Sequence, residues 1–298
     1  MFNPQSHEIF LKSIDELDLI RKINKFRNLN FQNMSDNDIC KAISDVLLHY
    51  GMFLYMSNIR SYPANTKFYR VRELKDSLIP NGSLRILSDF WNKPADKVDN
   101  YGRLNKIGES LLYTAPINPF VAINEMKLKK NVFYALIIYK AKLDVKINVI
   151  GGNCDYSVHG ITDKKAILIH EIYNNFLKDE FSRDVGVGTE YLYKISERIA
   201  KDYFDLPPRE MQDAWAYSSV QDKSNYNVCF RPDIAKELLE LQGAVIVKNV
   251  NPSKISSVAV AHGFDENGVT ILHEIGSDIQ KQFFPEIQQN LDGQEKNE

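Results

Sequence analysis

The sequence predicts an α+β fold, in which helices and strands are grouped along the chain and do not alternate regularly. Helical periodicity fills the first 60 residues, and short strand-like runs follow from Thr66 onward. Of the 298 residues, 44% are hydrophobic and 26% are charged, which is typical of globular proteins. We therefore expect a large domain that carries an added N-terminal helical region at residues 1–60.

The N-terminal region is predicted to form two helices. Ser6 precedes an apolar face that repeats at helical spacing as far as Ile23. A second helix is expected to begin after the N-cap residue Ser35 and to stop at Gly51. The region contains no recognisable motif, so we interpret it as a cap or a partner surface.

Strands and shorter helices are expected in the rest of the chain. The run 67–72 alternates and places Arg70 and Arg72 on one side of a strand, and 111–115 is a second strand. Asn118 and Pro119 are typical of a helix start, which puts Glu125 in the second turn. Further strands are predicted at 132–140, 145–150, 217–220, 226–230, 244–248, 258–262 and 269–275. Further helices are predicted at 163–181, at 189–204 and from 232 to 243. Residues 286–298 are expected to form a polar tail, in which 291–298 are disordered.

The composition argues against several classes of function. A net charge of −2 gives no support for binding to nucleic acid or to a membrane surface. Cys40, Cys154 and Cys229 lie in separate elements without a CxxC or Cys/His cluster, so neither a disulfide framework nor a metal site is expected. The N-terminus lacks a basic segment followed by an apolar one, and the apolar run 132–139 is too short to cross a bilayer. We expect a cytoplasmic protein.

A set of short motifs carries the functional prediction. In chain order they are Tyr69-Arg70, Gly102-Arg103-Leu104-Asn105, Leu112-Tyr113-Thr114-Ala115, Glu125 and Tyr217-Ser218-Ser219-Val220. Their order, spacing and flanking residues resemble the RES-domain family, which is named for an arginine, a glutamate and a serine. Proteins of that family are similar to ADP-ribosyltransferases and break the nicotinamide–ribose bond of NAD.

The resemblance assigns a catalytic role to four residues, namely Arg70, Tyr113, Glu125 and Ser219. These residue types suit the reaction, because a guanidinium matches phosphate oxygens and an aromatic face suits a flat cationic ring. A carboxylate can stabilise the oxocarbenium-like state that forms when the bond breaks, and a hydroxyl can bind phosphate or ribose. Each also has a structural interpretation: Arg70 as a solvated strand residue, Tyr113 as core, Glu125 as an exposed helix carboxylate and Ser219 as a turn cap.

Some assignments stay open because the sequence departs from the family pattern. Arg103 and Asn105 match the family's Gly-Arg-aromatic-Asn turn and are expected to bind NAD, although Leu104 replaces the aromatic residue. Ser218 replaces the proline before the serine, so it competes with Ser219. Arg72 lies on the same strand face as Arg70 and could be the true phosphate ligand.

The resemblance implies an ADP-ribosyltransferase-like fold with a split, strongly bent sheet and flanking helices, over a catalytic domain at 61–285. It implies a NAD glycohydrolase or phosphorylase that takes NAD as substrate without a metal. It further implies a toxin that a cognate antitoxin, often a helix-turn-helix protein, neutralises. The alternatives are an ADP-ribosyltransferase that modifies a protein, and a catalytically silent module that binds a nucleotide or partner. A homo-oligomer is also possible.

Overall fold

The structure, a computed structural model, describes residues 4–54, 57–74, 84–251 and 254–287 of the chain. Its helices are α1 (Pro4–Ser13), α2 (Glu16–Arg27), α3 (Asp36–Leu47), α4 (Pro119–Glu125), α5 (Lys164–Ser182), α6 (Tyr193–Ile199), α7 (Pro232–Leu238) and α8 (Asp278–Phe283). Its strands are β1 (Leu48–His49), β2 (Met52–Phe53), β3 (Ile59–Tyr62), β4 (Lys67–Leu74), β5 (Leu112–Pro116), β6 (Phe133–Ala141), β7 (Val145–Ile150), β8 (Ala214–Ser218), β9 (Tyr226–Phe230), β10 (Leu239–Asn251), β11 (Lys254–Phe264) and β12 (Thr270–Glu274).

The fold is α+β, as the sequence predicts, with mostly antiparallel strands and helices grouped outside them. The chain divides into two compact units. The first unit comprises Met1–Tyr62, Pro94–Leu111 and Val145–Arg231, and the second comprises Pro63–Lys93, Leu112–Asp144 and Pro232–Glu298. The N-terminal helices therefore share a unit with α5 and α6. The predicted domain boundaries at 60 and 285 stay predictions, and residues 288–298 of the predicted tail lie outside the described ranges.

In the first unit, the helices pack around a sheet in the order β3-β7-β8-β9, where only the β7/β8 pair is parallel. The N-terminal helices join this core through aromatic contacts such as that of Phe26 with Phe176, whose ring centroids are 5.2 Å apart. Trp215 on β8 is buried beneath two cations, with the Arg231 Cζ 4.2 Å and the Lys201 Nζ 4.9 Å from its ring. The helix α2 therefore packs against α5 through buried aromatic side chains.

In the second unit, the strands form an antiparallel sheet in the order β12-β11-β10-β6-β4-β5. Tyr69 and Val71 of β4 contribute to a core cluster that includes Val121 and Ile123 of α4. The helix α4 therefore packs on the face of the sheet to which Tyr69 and Val71 point.

The N-terminal helix prediction is wrong at two points. The pattern from Ser6 to Ile23 forms two helices, because Asp15 caps α2 by accepting a hydrogen bond from the backbone N–H of Asp18 at 2.9 Å. The predicted helix from Ser35 begins as expected, with the Ser35 hydroxyl on the Asp38 N–H at 3.2 Å, but it ends at Leu47 and not at Gly51. Residues 50 and 51 both have positive φ and form the turn of the β1/β2 hairpin.

The C-terminal half contains three further corrections. The helix predicted from Pro232 to Gly243 ends at Leu238. The following residues, Leu239-Glu240-Leu241, alternate between apolar and polar as in a strand, and they pair with β6. The predicted strand at 217–220 is β8, which starts earlier and ends at Ser218. The predicted helix 189–204 consists of a 3-10 turn, α6 and a π-helical turn. In the ranges that the structure describes, no helix has the length and apolar character needed to span a membrane.

Candidate functional site

Arg70 and Arg72 project from β4 towards the backbone of the segment around residue 90. The Arg70 Nη1 donates to the carbonyl oxygen of Trp91. The Arg72 Nη1 donates to the Asp89 carbonyl oxygen at 2.5 Å and lies 4.0 Å from the Asp89 Oδ1. Both arginines are half-buried, so neither is a freely solvated strand residue. A guanidinium carries five N–H donors, and these bonds therefore leave donors for a phosphate oxygen.

Tyr139 on β6 completes this cluster, and no motif distinguishes it within the apolar run 132–139. Its buried hydroxyl donates to the carbonyl oxygen of Phe90, and its ring centroid is 5.2 Å from that of Trp91. Burial raises the pKa of Tyr139 to about 12, against the opposing effect of the Arg70 charge. Burial, followed by the positive charge of Arg70, lowers the pKa of Arg72. Two like charges held this close favour an anion beside them.

Tyr113 and Glu125 lie on consecutive elements of the second unit. Tyr113 is on β5, and Glu125 is the last residue of α4, in its second turn as predicted. The helix begins where the sequence indicates, because the Asn118 Oδ1 accepts a hydrogen bond from the Phe120 N–H at 3.0 Å and Pro119 follows the cap. Both Tyr113 and Glu125 are half-buried. The local sequence therefore fixes the position of the glutamate along its helix.

The pairing of β4 with β5 ends beside Arg70. Within the described ranges, β4 pairs with β6 along its whole length but with β5 at only two positions, Phe68↔Pro116 and Tyr69↔Ala115. Arg70 is the first β4 residue beyond that pairing. The described pairing of β4 with β5 therefore ends next to the arginine that the sequence singles out.

The side chains of β4 separate the arginines from α4. Since Tyr69 and Val71 point to the face on which α4 packs, Arg70 and Arg72 point to the opposite face. The convergence of Arg70 and Glu125 with Tyr113 and Ser219 in a single pocket stays a prediction.

In the first unit, Arg103 lies against two tyrosine rings. Its Cζ is 5.3 Å from the ring centroid of Tyr193 and 5.9 Å from that of Tyr217. Its Nη2 donates to the Arg183 carbonyl oxygen at 2.7 Å. Its Nη1 is buried and, among the residues described, has no hydrogen-bond partner. A buried donor without an acceptor is costly, so this Nη1 suits an acceptor that the described residues do not supply.

Asn105 shapes the turn that carries Arg103. Its backbone carbonyl accepts a hydrogen bond from the Gly102 N–H at 2.9 Å, and its buried Nδ2 donates to the Lys106 carbonyl oxygen at 3.0 Å. These contacts close the loop of the Gly-Arg-Leu-Asn motif. Asn105 therefore acts on the backbone of this turn, whereas Arg103 presents the unpaired donor.

Ser218 and Ser219 are both buried at the end of β8. The Ser219 Oγ accepts a hydrogen bond from the Asp222 N–H at 3.1 Å, and the Ser219 N–H donates to the Asn225 carbonyl oxygen at 2.9 Å. Ser219 thus performs the turn-capping role that the sequence allowed as an alternative. Both serines stay candidates for the ligand-binding hydroxyl.

The structure brings two motifs together in the first unit that are far apart in the chain. Tyr217, which precedes the two serines, contacts the Arg103 guanidinium, so the Gly102–Asn105 turn lies beside the end of β8. Tyr193 is the second ring partner of Arg103. Tyr193 was not identified as a site residue from the sequence, because nothing in its local sequence distinguishes it from a core aromatic residue.

The described part of the chain contains no cluster of three or more His, Cys, Asp or Glu side chains that could hold a metal ion. Comparisons with models of known protein families, with curated proteins and with solved structures found no match to this chain.

Proposed function

We propose that this protein binds NAD and cleaves its nicotinamide–ribose bond. The observation that carries the proposal is the environment of Arg103, a guanidinium between two tyrosine rings whose buried Nη1 has no acceptor among the residues described. An oxygen of the NAD pyrophosphate would complete its hydrogen bonding with a charge-assisted bond. The neighbouring hydroxyls of Ser218 and Ser219 would bind the same phosphates or a ribose.

For Arg70, Arg72, Tyr113 and Glu125 of the second unit, the proposal keeps the roles that the resemblance to the RES-domain family implies. Arg70 and Arg72 bind phosphate oxygens with the donors that their backbone contacts leave over. Tyr113 stacks on the nicotinamide, and Glu125 stabilises the positive charge that develops on the ribose.

The bond between the nicotinamide nitrogen and the anomeric carbon breaks, and neutral nicotinamide leaves with the electron pair. Water then adds to the cationic ribose to give ADP-ribose and a proton, whereas phosphate adds to give a phosphorylated ADP-ribose.

The same proposal extends to the fold and to the cellular role. In this proposal the sheet is of the split ADP-ribosyltransferase kind, and the short pairing of β4 with β5 is the feature that supports it. In this proposal the protein consumes cytoplasmic NAD as a toxin of the RES type, and a cognate antitoxin protein restrains it. The catalytic domain would then span residues 61–285, with residues 1–60 as an added helical region.

The direct test measures nicotinamide release from NAD by the purified full-length protein, with and without phosphate, together with calorimetric binding of NAD. We expect release by the native protein, and we expect Arg103→Gln to weaken NAD binding by about tenfold, the scale of a single charge-assisted hydrogen bond. Arg21→Gln, at an exposed position on α2, is the matched control and should bind as the native protein does.

Other outcomes select the alternatives. Release that requires an added protein, with label from NAD appearing on that protein, would identify an ADP-ribosyltransferase. Binding of NAD without release under every condition would favour the silent binding module. No binding of NAD, or full binding by Arg103→Gln, would overturn the proposal.

A further inference from the structure

The unpaired donor of Arg103 is closed off from solvent. The Arg103 Nη1 is buried and has no acceptor among the residues described, and the Nη2 of the same guanidinium donates to the Arg183 carbonyl oxygen at 2.7 Å. The ring centroids of Tyr193 and Tyr217 lie 5.3 Å and 5.9 Å from its Cζ. Because a hydrogen bond needs an N···O distance of about 3 Å, a ligand oxygen reaches this Nη1 only after covering atoms have moved aside.

One segment of the chain begins and ends at this guanidinium. Residues 184–189, which we call the 184–189 loop, connect Arg183 to the 3-10 turn Glu190–Leu192, and Tyr193 follows that turn directly. Tyr217, by contrast, is buried in β8, which pairs with β7 on one side and with β9 on the other. A strand with two partners cannot withdraw without loss of pairing. The 184–189 loop is therefore the adjoining segment that can move.

The 184–189 loop has little buried surface. Each of its residues is exposed or half-buried, and Val187 at its tip is fully exposed. A Cβ added at Gly186 or at Gly188 would meet nothing within 4 Å, so the backbone has open space around it there. The Thr189 hydroxyl accepts from the Gly186 N–H at 3.0 Å and donates to the Gly186 carbonyl oxygen at 3.0 Å. These bonds lie within the loop, so it can move as a unit without breaking them.

We propose that the 184–189 loop is a lid, which opens to admit a phosphate group to Arg103 and closes over the bound group. The inference rests on the proposed function, because the phosphate is that of NAD, but it does not require cleavage. In the open state the Nη1 is accessible, and in the closed state a phosphate oxygen supplies its missing acceptor. The ligand therefore stabilises the closed state, and closure excludes water from the bound phosphate.

The test measures how fast thermolysin, which cuts before apolar residues, cleaves the full-length protein before Val187. Such cleavage follows the population of the locally opened form when opening and closing are fast. A ligand that binds the closed state lowers that population by the factor 1 + [L]/Kd. NAD or inorganic pyrophosphate at about ten times its Kd should therefore slow this cleavage about tenfold. Cleavage before Val158, an exposed valine ahead of the N-terminal end of α5, is the internal control and should not change.

Variants of Thr189 and Arg103 separate the lid from a passive surface loop. Thr189→Val removes the hydroxyl that bridges the loop, so cleavage of the unliganded protein before Val187 should become about fivefold faster, the scale of a single neutral hydrogen bond. Thr189→Ser keeps the hydroxyl and should restore the native rate. In Arg103→Gln, the same concentration of either probe should no longer protect the loop.

Three results would overturn the lid. They are no slowing of the cleavage before Val187 by either probe up to about 10 mM, equal protection before Val158, and undiminished protection in Arg103→Gln. Equal protection at the two valines would mean that the ligand stabilises the whole unit and not the loop. Protection without nicotinamide release would leave the lid standing and overturn NAD cleavage, whereas release without protection would do the reverse.

Discussion

Glu125 is the residue whose replacement tests the proposed chemistry most directly. Glu125→Gln keeps the size and most hydrogen bonding of the side chain but removes the charge that would stabilise the oxocarbenium-like state. We expect nicotinamide release to fall by roughly a hundredfold to a thousandfold, the scale of losing a single preorganised transition-state contact. Binding of NAD, measured by calorimetry, should survive. Glu171→Gln at an exposed position of α5 serves as control, and an undiminished rate in Glu125→Gln would remove this glutamate from the mechanism.

Arg70 and Arg103 show how far the sequence defines a residue's environment. The alternation of the strand predicts correctly that Arg70 and Arg72 share a face, because side-chain direction in a strand depends on local geometry. Their acceptors on the backbone at 89 and 91 could not be predicted, since they lie in a short 3-10 turn and at its end, where the sequence has no motif. The rings around Arg103 come from α6 and β8, and only the folded chain brings them to that turn.

Among the elements, β10 contains a position that only glycine fits. Gly243 has a φ of +124° at a register shift in the pairing of β10 with β6, and a Cβ there would lie 2.3 Å from the Ala261 carbonyl oxygen. We expect Gly243→Ala to lower the free energy of unfolding by more than about 2 kcal/mol, because the backbone of β11 cannot withdraw without loss of pairing. Gly186→Ala, which meets nothing within 4 Å, should change it by less than about 0.5 kcal/mol. Urea unfolding curves measure both, and equal effects would contradict the steric argument.

The helix α5 makes the first unit sensitive to acid. His170 is buried, its Nδ1 lies 3.1 Å from the Tyr156 hydroxyl, and burial, followed by the charges of His7 and His159, lowers its pKa to about 3. The folded protein therefore keeps this imidazole neutral while the unfolded chain takes up a proton below the ordinary pKa of 6.5. The free energy of unfolding should thus fall as the pH falls from 6.5 towards 3, by at most about 1.4 kcal/mol per pH unit from this residue.

The variant His170→Asn isolates this contribution. It removes the titrating group, so its unfolding free energy should depend less steeply on pH between 6.5 and 5 than that of the native protein. His273→Asn is the matched control, since the half-buried His273 has no part in this cluster. An unchanged slope in His170→Asn would show that other groups cause the acid sensitivity.

The elements that the sequence predicts well are the helices that begin after a clear N-cap residue. Ser35 and Asn118 cap their helices through bonds to the backbone two or three residues ahead, so the sequence alone locates these starts. Helix ends were predicted less well, as at Leu238. A segment with helical propensity can also have the alternating apolar and polar residues that are typical of a strand. Pairing with β6 decides between the two structures, and that is a tertiary effect.

At the scale of the whole molecule, the N-terminal helices cannot be removed without exposing the core. Leu11, Ile14, Leu19 and Phe26 are almost completely buried, and each contributes roughly 1.5–3 kcal/mol by burial. Their sum is comparable with the 5–15 kcal/mol of net stability that is typical of folded proteins. We expect deletion of residues 1–60 to give an aggregated chain, measured by gel filtration and circular dichroism. A soluble product that unfolds cooperatively would show that these helices are an independent addition.

The two tryptophans of the chain lie in different units, Trp91 in the second and Trp215 in the first. Trp215 is enclosed beneath Arg231 and Lys201, whereas Trp91 packs on Tyr139. The protein therefore carries a separate intrinsic fluorophore for each unit. In Trp91→Phe the emission reports the melting of the first unit alone, and in Trp215→Phe it reports that of the second. Coincident midpoints from the two variants would mean that the units unfold as a single cooperative block, and separate midpoints would rank their stabilities.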